Sequence, residues 1–476
     1  MRPQFRLLTG GCVLFAGFIA WLIWTLLHRV PPSDPLALVE GAQNLAKCIP
    51  AGRFPCQGVT PFPLFQQAPA VIMDWLGLGT DSSLRVFEIL TEIAVLLAVA
   101  VPTVVITARR GVGVGALLAL LLIPTPLLYY AGTSWGEPIA VLLNMSVVLC
   151  FVFRVPAWAL FLSAVGAAIA KEVAFPVIIA VGGACALAVH GTDRRKLWSS
   201  VGVLAAGAAV GQGLDSLLNL ARYGVLTNTN YLADPAVPWG LKPQLAAGVW
   251  LAPGGGVLPY WPTYLIAIAI LVVGAWRGWR IGTWWGAAPP GLLLAALAIN
   301  TGVLADWWAP FGWVAWGPRL MIPWLPAIAL AAILVAPGAS AACARALFSR
   351  PLAALAVASV AVYGVVLNVA ARTTGAWTPF FNTPTAACPN PALATAANPP
   401  YYFTCLTHGM WQRQGSPIAL VLAQARTSVA EPWIVVVSAT VLGFVVLAYA
   451  HVAGLELRSV KRHVLRLTGR DSTAAP

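Results

Sequence analysis

Charge is what this chain has least of. Only 9% of its 476 residues are Asp, Glu, Lys or Arg, against 59% hydrophobic, and the mean hydropathy is +0.82. So few charges cannot clothe a water-soluble surface, and soluble classes are excluded. No C-x-x-C pair and no Cys/His cluster occurs among the eight cysteines, so nothing points to structural zinc. An internal repeat, a soluble second domain and a long hydrophilic tail are also missing, which counts against transporter folds built from two related halves. The net charge of +13 forms no basic patch interleaved with aromatics, so nucleic acid is not an expected partner. Only five of the 28 cations are lysine, and Ala, Gly and Val dominate the apolar stretches, a bias typical of a GC-rich bacterial genome.

What remains is apolar runs. About 20 such residues span the roughly 30 Å hydrocarbon core, and runs of this kind fall near 7–30, 86–107, 112–128, 135–153, 156–170, 173–191, 197–219, 261–276, 282–303, 320–337, 352–371 and 432–452. They predict an all-α, polytopic transmembrane helical bundle of about 12 spans, in a range of 11–13, over a single domain, 1–476. Residues 112–153 and 156–191 are also consistent with re-entrant or broken elements. The N-terminal apolar stretch is longer than a signal-peptide core and has no small-residue cleavage site before Pro31, so it reads as a retained helix.

Orientation follows from the cations, because Lys and Arg collect on the cytoplasmic side. With both termini cytoplasmic, 17 of 28 cations fall on inner loops and tails, and 12 of 15 carboxylates fall outside or in outward helix ends. The expected location is the bacterial cytoplasmic membrane. Long outer segments are predicted at 31–85, 220–260, 304–319 and 372–431, rich in Pro, Gly, Trp and Tyr, and working residues concentrate on such loops. Two local disulfides are expected there, Cys48 to Cys56 and Cys388 to Cys405, since disulfides persist only in oxidising compartments.

Four outer patterns carry further information. The first loop opens Pro-Pro-Ser-Asp34-Pro, continues Leu-Val-Glu40-Gly-Ala and reaches Thr60-Pro-Phe-Pro-Leu-Phe65. The next outward turn reads Tyr-Tyr-Ala-Gly-Thr-Ser-Trp-Gly-Glu137-Pro. Ala-Arg222-Tyr-Gly-Val, Asn230-Tyr231 and Leu-Ala-Pro253-Gly-Gly-Gly-Val-Leu-Pro-Tyr260-Trp-Pro follow. The last is Asp306-Trp-Trp-Ala-Pro-Phe-Gly-Trp-Val-Ala-Trp316-Gly-Pro-Arg319-Leu-Met-Ile-Pro-Trp-Leu-Pro326. In this order, over about residues 30–326, they resemble the GT-C superfamily of integral membrane glycosyltransferases, especially bacterial relatives of protein mannosyltransferases and lipid A aminoarabinose transferases. The family often has two adjacent acids in the first loop, whereas Asp34 is followed by proline and the next acid is Glu40.

The resemblance implies transfer of a sugar from a polyprenyl-phosphate carrier to an extracytoplasmic glycan, lipid or protein acceptor. Mannose and arabinose both fit. Such chemistry needs a carboxylate to take the acceptor proton and cations to stabilise the leaving phosphate. Asp34, just beyond the first span, is the expected base, with Glu40 in reserve and a turn or helix position as the plain alternative for each. Arg319 is the expected phosphate ligand, its alternative being an interface anchor; Lys171 and Arg222 are further candidates. Glu137 and Asp306 are expected to orient neighbours or touch substrate, and Trp307, Trp308, Trp313 and Trp316 to stack on sugar. No cofactor is expected, and no metal, because the Asp-x-Asp motif of metal-dependent oligosaccharyltransferases is missing. Two other classes stay open: a transporter or flippase using Asp34, Glu88, Glu92 and Asp215 as an ion path, and a non-catalytic envelope scaffold.

Overall fold

The computed structural model describes residues 34–52, 54–56, 58, 64–133, 136–171, 174–227, 236–307, 316–374, 398–412, 416–425 and 430–467, with 16, 19–21 and 23. Among them every regular element is helical. In chain order the α-helices are α1 (Asp34–Ala51), α2 (Leu64–Trp75), α3 (Thr80–Arg110), α4 (Val112–Leu122), α5 (Leu127–Tyr130), α6 (Glu137–Phe153), α7 (Ala157–Ile169), α8 (Ala174–His190) and α9 (Arg194–Tyr223). After a 3-10 turn, Trp239–Leu241, come α10 (Lys242–Leu251), α11 (Val257–Tyr260), α12 (Tyr264–Arg280), α13 (Trp284–Ala305), α14 (Leu325–Val335), α15 (Pro337–Phe348) and α16 (Pro351–Thr374). The series closes with α17 (Pro399–Trp411), α18 (Pro417–Ala425) and α19 (Ala430–Leu467).

Among the described residues, five helices are long and apolar enough to cross a bilayer: Thr80–Arg110, Arg194–Tyr223, Trp284–Ala305, Pro351–Arg372 and Pro432–Val452. A sixth crossing arises if α14 and α15, bent by 100°, form one broken span. Val112–Leu122, Glu137–Phe153, Ala157–Ile169 and Pro176–His190 are apolar but shorter. The protein is therefore a multi-pass membrane protein, with five or six helices of full crossing length among the described residues; about 12 spans were expected over the whole chain. The expected first span, 7–30, lies outside the described residues apart from the five named above.

Two of the short helices form the centre. Every described residue of α14 except Leu334 is buried, and α4 is buried from Val114 to Leu122. A helix apolar on all sides has no face to give to water and must be enclosed by other helices. Here α4 packs on α3, α19, α15, α14 and α12, and α14 on α8, α6 and α12. Prolines set their lengths: α4 stops ahead of Pro124 and Pro126, and α14 ends at Val335, with Ala336 as its cap before Pro337.

Close contact between α7 and α9 depends on glycine. A Cβ on Gly207 would come within 2.5 Å of the Phe161 carbonyl oxygen, and one on Gly211 within 2.6 Å of the Ala168 Cβ. Such small-residue spacing lets membrane helices approach backbone to backbone.

The helix ends sort into two groups. At one, Arg109 of α3 donates to the Val152 carbonyl near the end of α6, Arg277 donates to the Gly338 carbonyl at 3.4 Å, and Asp193 caps α9 by accepting from the Lys196 N–H at 3.1 Å. That N–H, with the Lys196 side chain, holds the exposed Asp193 carboxyl below its usual range. At the other, the stretch expected as a long first loop forms α1 and α2, packed together. Gln43 of α1 donates to the Thr80 hydroxyl at 3.3 Å, and the Cys56 N–H to the Ala221 carbonyl at 3.0 Å, which fixes this layer to the start of α3 and the end of α9.

Candidate active site: one carboxylate between two cations

The site forms at this second end, around the turn that leads into α14. Gly317 adopts φ +61°, and a Cβ there would lie 3.0 Å from the Tyr260 ring, so the turn needs glycine for both conformation and space. Trp316 is fully buried between the rings of Tyr129 (5.9 Å between centroids) and Tyr260 (4.8 Å). Its indole N–H donates to Asn368 Oδ1 at 2.8 Å, and its carbonyl accepts from the Tyr130 hydroxyl at 2.8 Å. Asn368 Nδ2 also donates to the Tyr260 carbonyl at 3.1 Å, and Asn144 Nδ2 to the Pro323 carbonyl at 3.0 Å. Four separate parts of the chain thus hold this turn, and each buried polar group named has a partner.

Arg319 points from the turn to the first residue of α6. Its Nε donates to Glu137 Oε1 at 2.7 Å, and Lys171 Nζ lies 3.8 Å from the same oxygen. Lys171 comes from the break between α7 and α8. Glu137 is buried, with its side chain 4% exposed, while Arg319 and Lys171 keep 13% and 23%. An acid at a helix N-terminus is favoured by the helix dipole, and Pro138 at the first turn needs no N–H partner there. Two cations thus converge on one carboxylate oxygen in a poorly hydrated place. That suits an anion, above all a phosphate.

Next to the trio lies a second buried charged group. Arg372, at the end of α16, donates from Nε to the Ala131 carbonyl at 3.2 Å and from Nη2 to the Gly132 carbonyl at 3.0 Å. Arg85 pairs with Glu88 at 3.0 Å, and Glu88 and Glu92 are both buried. The Thr91 hydroxyl joins this group to the turn before α6 by donating to the Thr133 carbonyl at 2.5 Å.

Three of the residues singled out in the sequence, Glu137, Lys171 and Arg319, are therefore brought together. Others are not. Arg222 is buried at the end of α9, donating to Asn219 Oδ1 with its guanidinium 5.2 Å from the Tyr223 ring centre. Asp306 is paired with Lys242 on α10. Trp316, expected as a sugar-stacking surface, is enclosed by tyrosines and anchors the turn instead. Trp307 is partly buried against the core, and Trp308 and Trp313 lie outside the described residues. Asp34 opens α1, its side chain outside the described residues, and Glu40 is exposed on the same helix. A disulfide joins Cys48 and Cys56, with 5.7 Å between Cα atoms. Cys405 is disulfide-bonded, and Cys388 lies outside the described residues. Among the described residues, no group of three or more His, Cys, Asp or Glu side chains could hold a metal ion.

Sequence reasoning missed Arg372, Asn368 and Asn144 as members of this framework. A signal existed for Arg372: it follows an apolar run without a break, and an ionisable residue at the end of a buried span seldom lacks a role.

The chain matches no protein-family model and no curated protein sequence. Among solved structures it is similar to ArnT from Cupriavidus metallidurans bound to undecaprenyl phosphate, with 15% identity, a TM-score of 0.45, and coverage of 93% of this chain and 77% of that one. It is also similar to ArnT from the same organism in the apo state, with 16% identity, a TM-score of 0.39, and coverage of 93% and 76%.

Proposed function

We propose that this protein is an integral membrane glycosyltransferase that takes a sugar, mannose or a pentose such as arabinose, from a polyprenyl-phosphate carrier and hands it to an acceptor glycan, lipid or protein on the extracytoplasmic side. The observation that carries this reading is the convergence of Arg319 and Lys171 on the buried carboxylate of Glu137. In the reaction, the acceptor hydroxyl oxygen bonds to the anomeric carbon as the bond from that carbon to the carrier phosphate breaks. The electron pair leaves with the phosphate, where Arg319 and Lys171 stabilise it, and the hydroxyl proton passes to a carboxylate. Asp34 is the residue we assign as that base, with Glu40 on the same helix as the alternative. Glu137 orients the two cations and keeps them from repelling each other before the carrier arrives.

The test uses the full chain in lipid nanodiscs with radiolabelled polyprenyl-phosphate mannose and arabinose. Arg319→Ala and Lys171→Ala are expected to weaken carrier binding about tenfold or more, the scale of a lost charge-assisted hydrogen bond. Asp34→Asn is expected to keep binding and lower turnover by roughly 10²–10⁴-fold. Failure of the wild type to bind or consume any carrier would sink the transferase reading in favour of transport or scaffolding. Equal carrier binding by wild type and Arg319→Ala would remove the phosphate role.

A further inference from the structure

Apart from the charge cluster, α10 and α17 flank an open groove of about 730 Å³, within the roughly 300–1,000 Å³ typical of small-ligand sites. Thr404, Thr407, His408 and Trp411 line it from α17, and their spacing of three, one and three residues puts them on one face of that helix. The opposite face does the packing: Tyr402, Phe403 and Met410 are buried with Leu245, Ala252 and Ala305. Of the stripe, Thr407 is buried, while Thr404, His408 and Trp411 are exposed and not needed to hold α17 in position. Gln244 of α10 faces it across the groove, and Gln412 closes one end, with its Nε2 3.3 Å from His408 Nδ1.

Among the described residues that line the groove, none is Asp, Glu, Lys or Arg. A phosphate or a charged peptide would find no counter-charge there. The Thr404 and Thr407 hydroxyls already donate to the Pro400 and Phe403 carbonyls, at 2.8 and 2.7 Å, but an acyl chain would cover the Gln244 amide with nothing to bond it, which is costly. A sugar suits both features. Its hydroxyls donate and accept, as side-chain amides, threonine hydroxyls and imidazole do, and its C–H face can lie on the half-exposed Trp411 indole. We infer that this groove binds neutral sugar units of the acceptor glycan, an assignment of the ligand as acceptor that rests on the transferase reading above.

The groove and the charge cluster share one frame. The Gly254 N–H donates to the Met410 carbonyl at 3.0 Å, and a Cβ on Gly254 would lie 2.8 Å from the Met410 Cα, so the turn after α10 fits only as glycine. The Tyr260 hydroxyl donates to the Pro253 carbonyl of that turn at 3.1 Å, and its ring meets Trp316, three residues before Arg319. A glycan seated on α17 is thereby held at a fixed position relative to the cations.

Saturation-transfer NMR on the full chain in nanodiscs, with neutral mannotriose and arabinotriose as probes, tests this. Trp411→Ala and Gln244→Ala are expected to weaken oligosaccharide binding by about tenfold or more, as for truncation of a central aromatic contact, and Trp411→Phe to retain part of it. Carrier binding by the same variants is expected to be unchanged, which also reports that they are folded. Arg319→Ala is expected to do the reverse. Binding of neither probe, or binding indifferent to Trp411→Ala, overturns the groove assignment even where sugar transfer proceeds. Loss of bound phospholipid rather than oligosaccharide in Trp411→Ala overturns it too, in favour of an acyl groove. Trp411-dependent oligosaccharide binding in a protein that consumes no carrier would leave the glycan site standing and the transferase reading fallen.

Discussion

Glu137 has two partners of unequal reach, and the difference predicts which one matters more for stability. Arg319 is the nearer and the more buried, so its removal strands a carboxylate that water can barely reach. Breaking a buried pair typically costs about 3–5 kcal/mol. We expect Arg319→Ala and Glu137→Gln each to lower the midpoint of thermal unfolding in detergent more than Lys171→Ala does. A larger loss in Lys171→Ala would reverse the assigned order. Each member of the trio could be picked out of the sequence as a charge beside an apolar run. Their meeting could not, because residues 137, 171 and 319 lie on three separate segments and nothing local says that one carboxylate serves both cations. Asn144 and Asn368 were harder still. Each is a single polar residue inside an apolar helix, and its meaning appears only when the carbonyl it bonds is known.

At the level of helices, the long ones were legible from length and apolarity alone, as α9, α13 and α16 show. The short ones were not. The run at 112–128 reads as one span, but its helix ends at Leu122, and the tyrosines beyond Pro126 turn toward Trp316. The run at 320–337 likewise contributes only Leu325–Val335 as helix, because its first residues form the turn that carries Arg319. Hydropathy reports where apolar residues are and does not separate those facing lipid from those enclosed by protein. The contact between α7 and α9 gives a prediction on this scale. Gly211→Leu has no room at the Val165 carbonyl and Ala168, whereas a Cβ on Gly213, which faces outward, meets nothing within 4 Å. The first is expected to lower the yield of folded protein in size-exclusion chromatography, and the second to leave it near wild type. Equal yields would mean that the two helices do not need their close approach.

For the whole molecule, the sorting of charge and the Cys48–Cys56 disulfide make a joint statement about sidedness. The end that bears α1, α2 and the charge cluster should face the oxidising side. In intact cells, a membrane-impermeant maleimide is expected to label Cys48 and Cys56 only after mild reduction, while a cysteine introduced by Arg195→Cys stays unlabelled until the membrane is opened. The opposite pattern would invert the topology and put the cluster on the cytoplasmic face.

The enclosure of α4 has a consequence for how the chain is made. A helix of 11 residues, about 16 Å long, is too short to partition stably into lipid by itself, and it is made well before most of the helices that enclose it. Apart from α3, the helices that surround it are α12, α14, α15 and α19, all from the second half of the chain. For most of translation α4 is therefore a guest without its host. Its seat is completed only when α19 arrives, so a stretch made late decides whether one made early is secure.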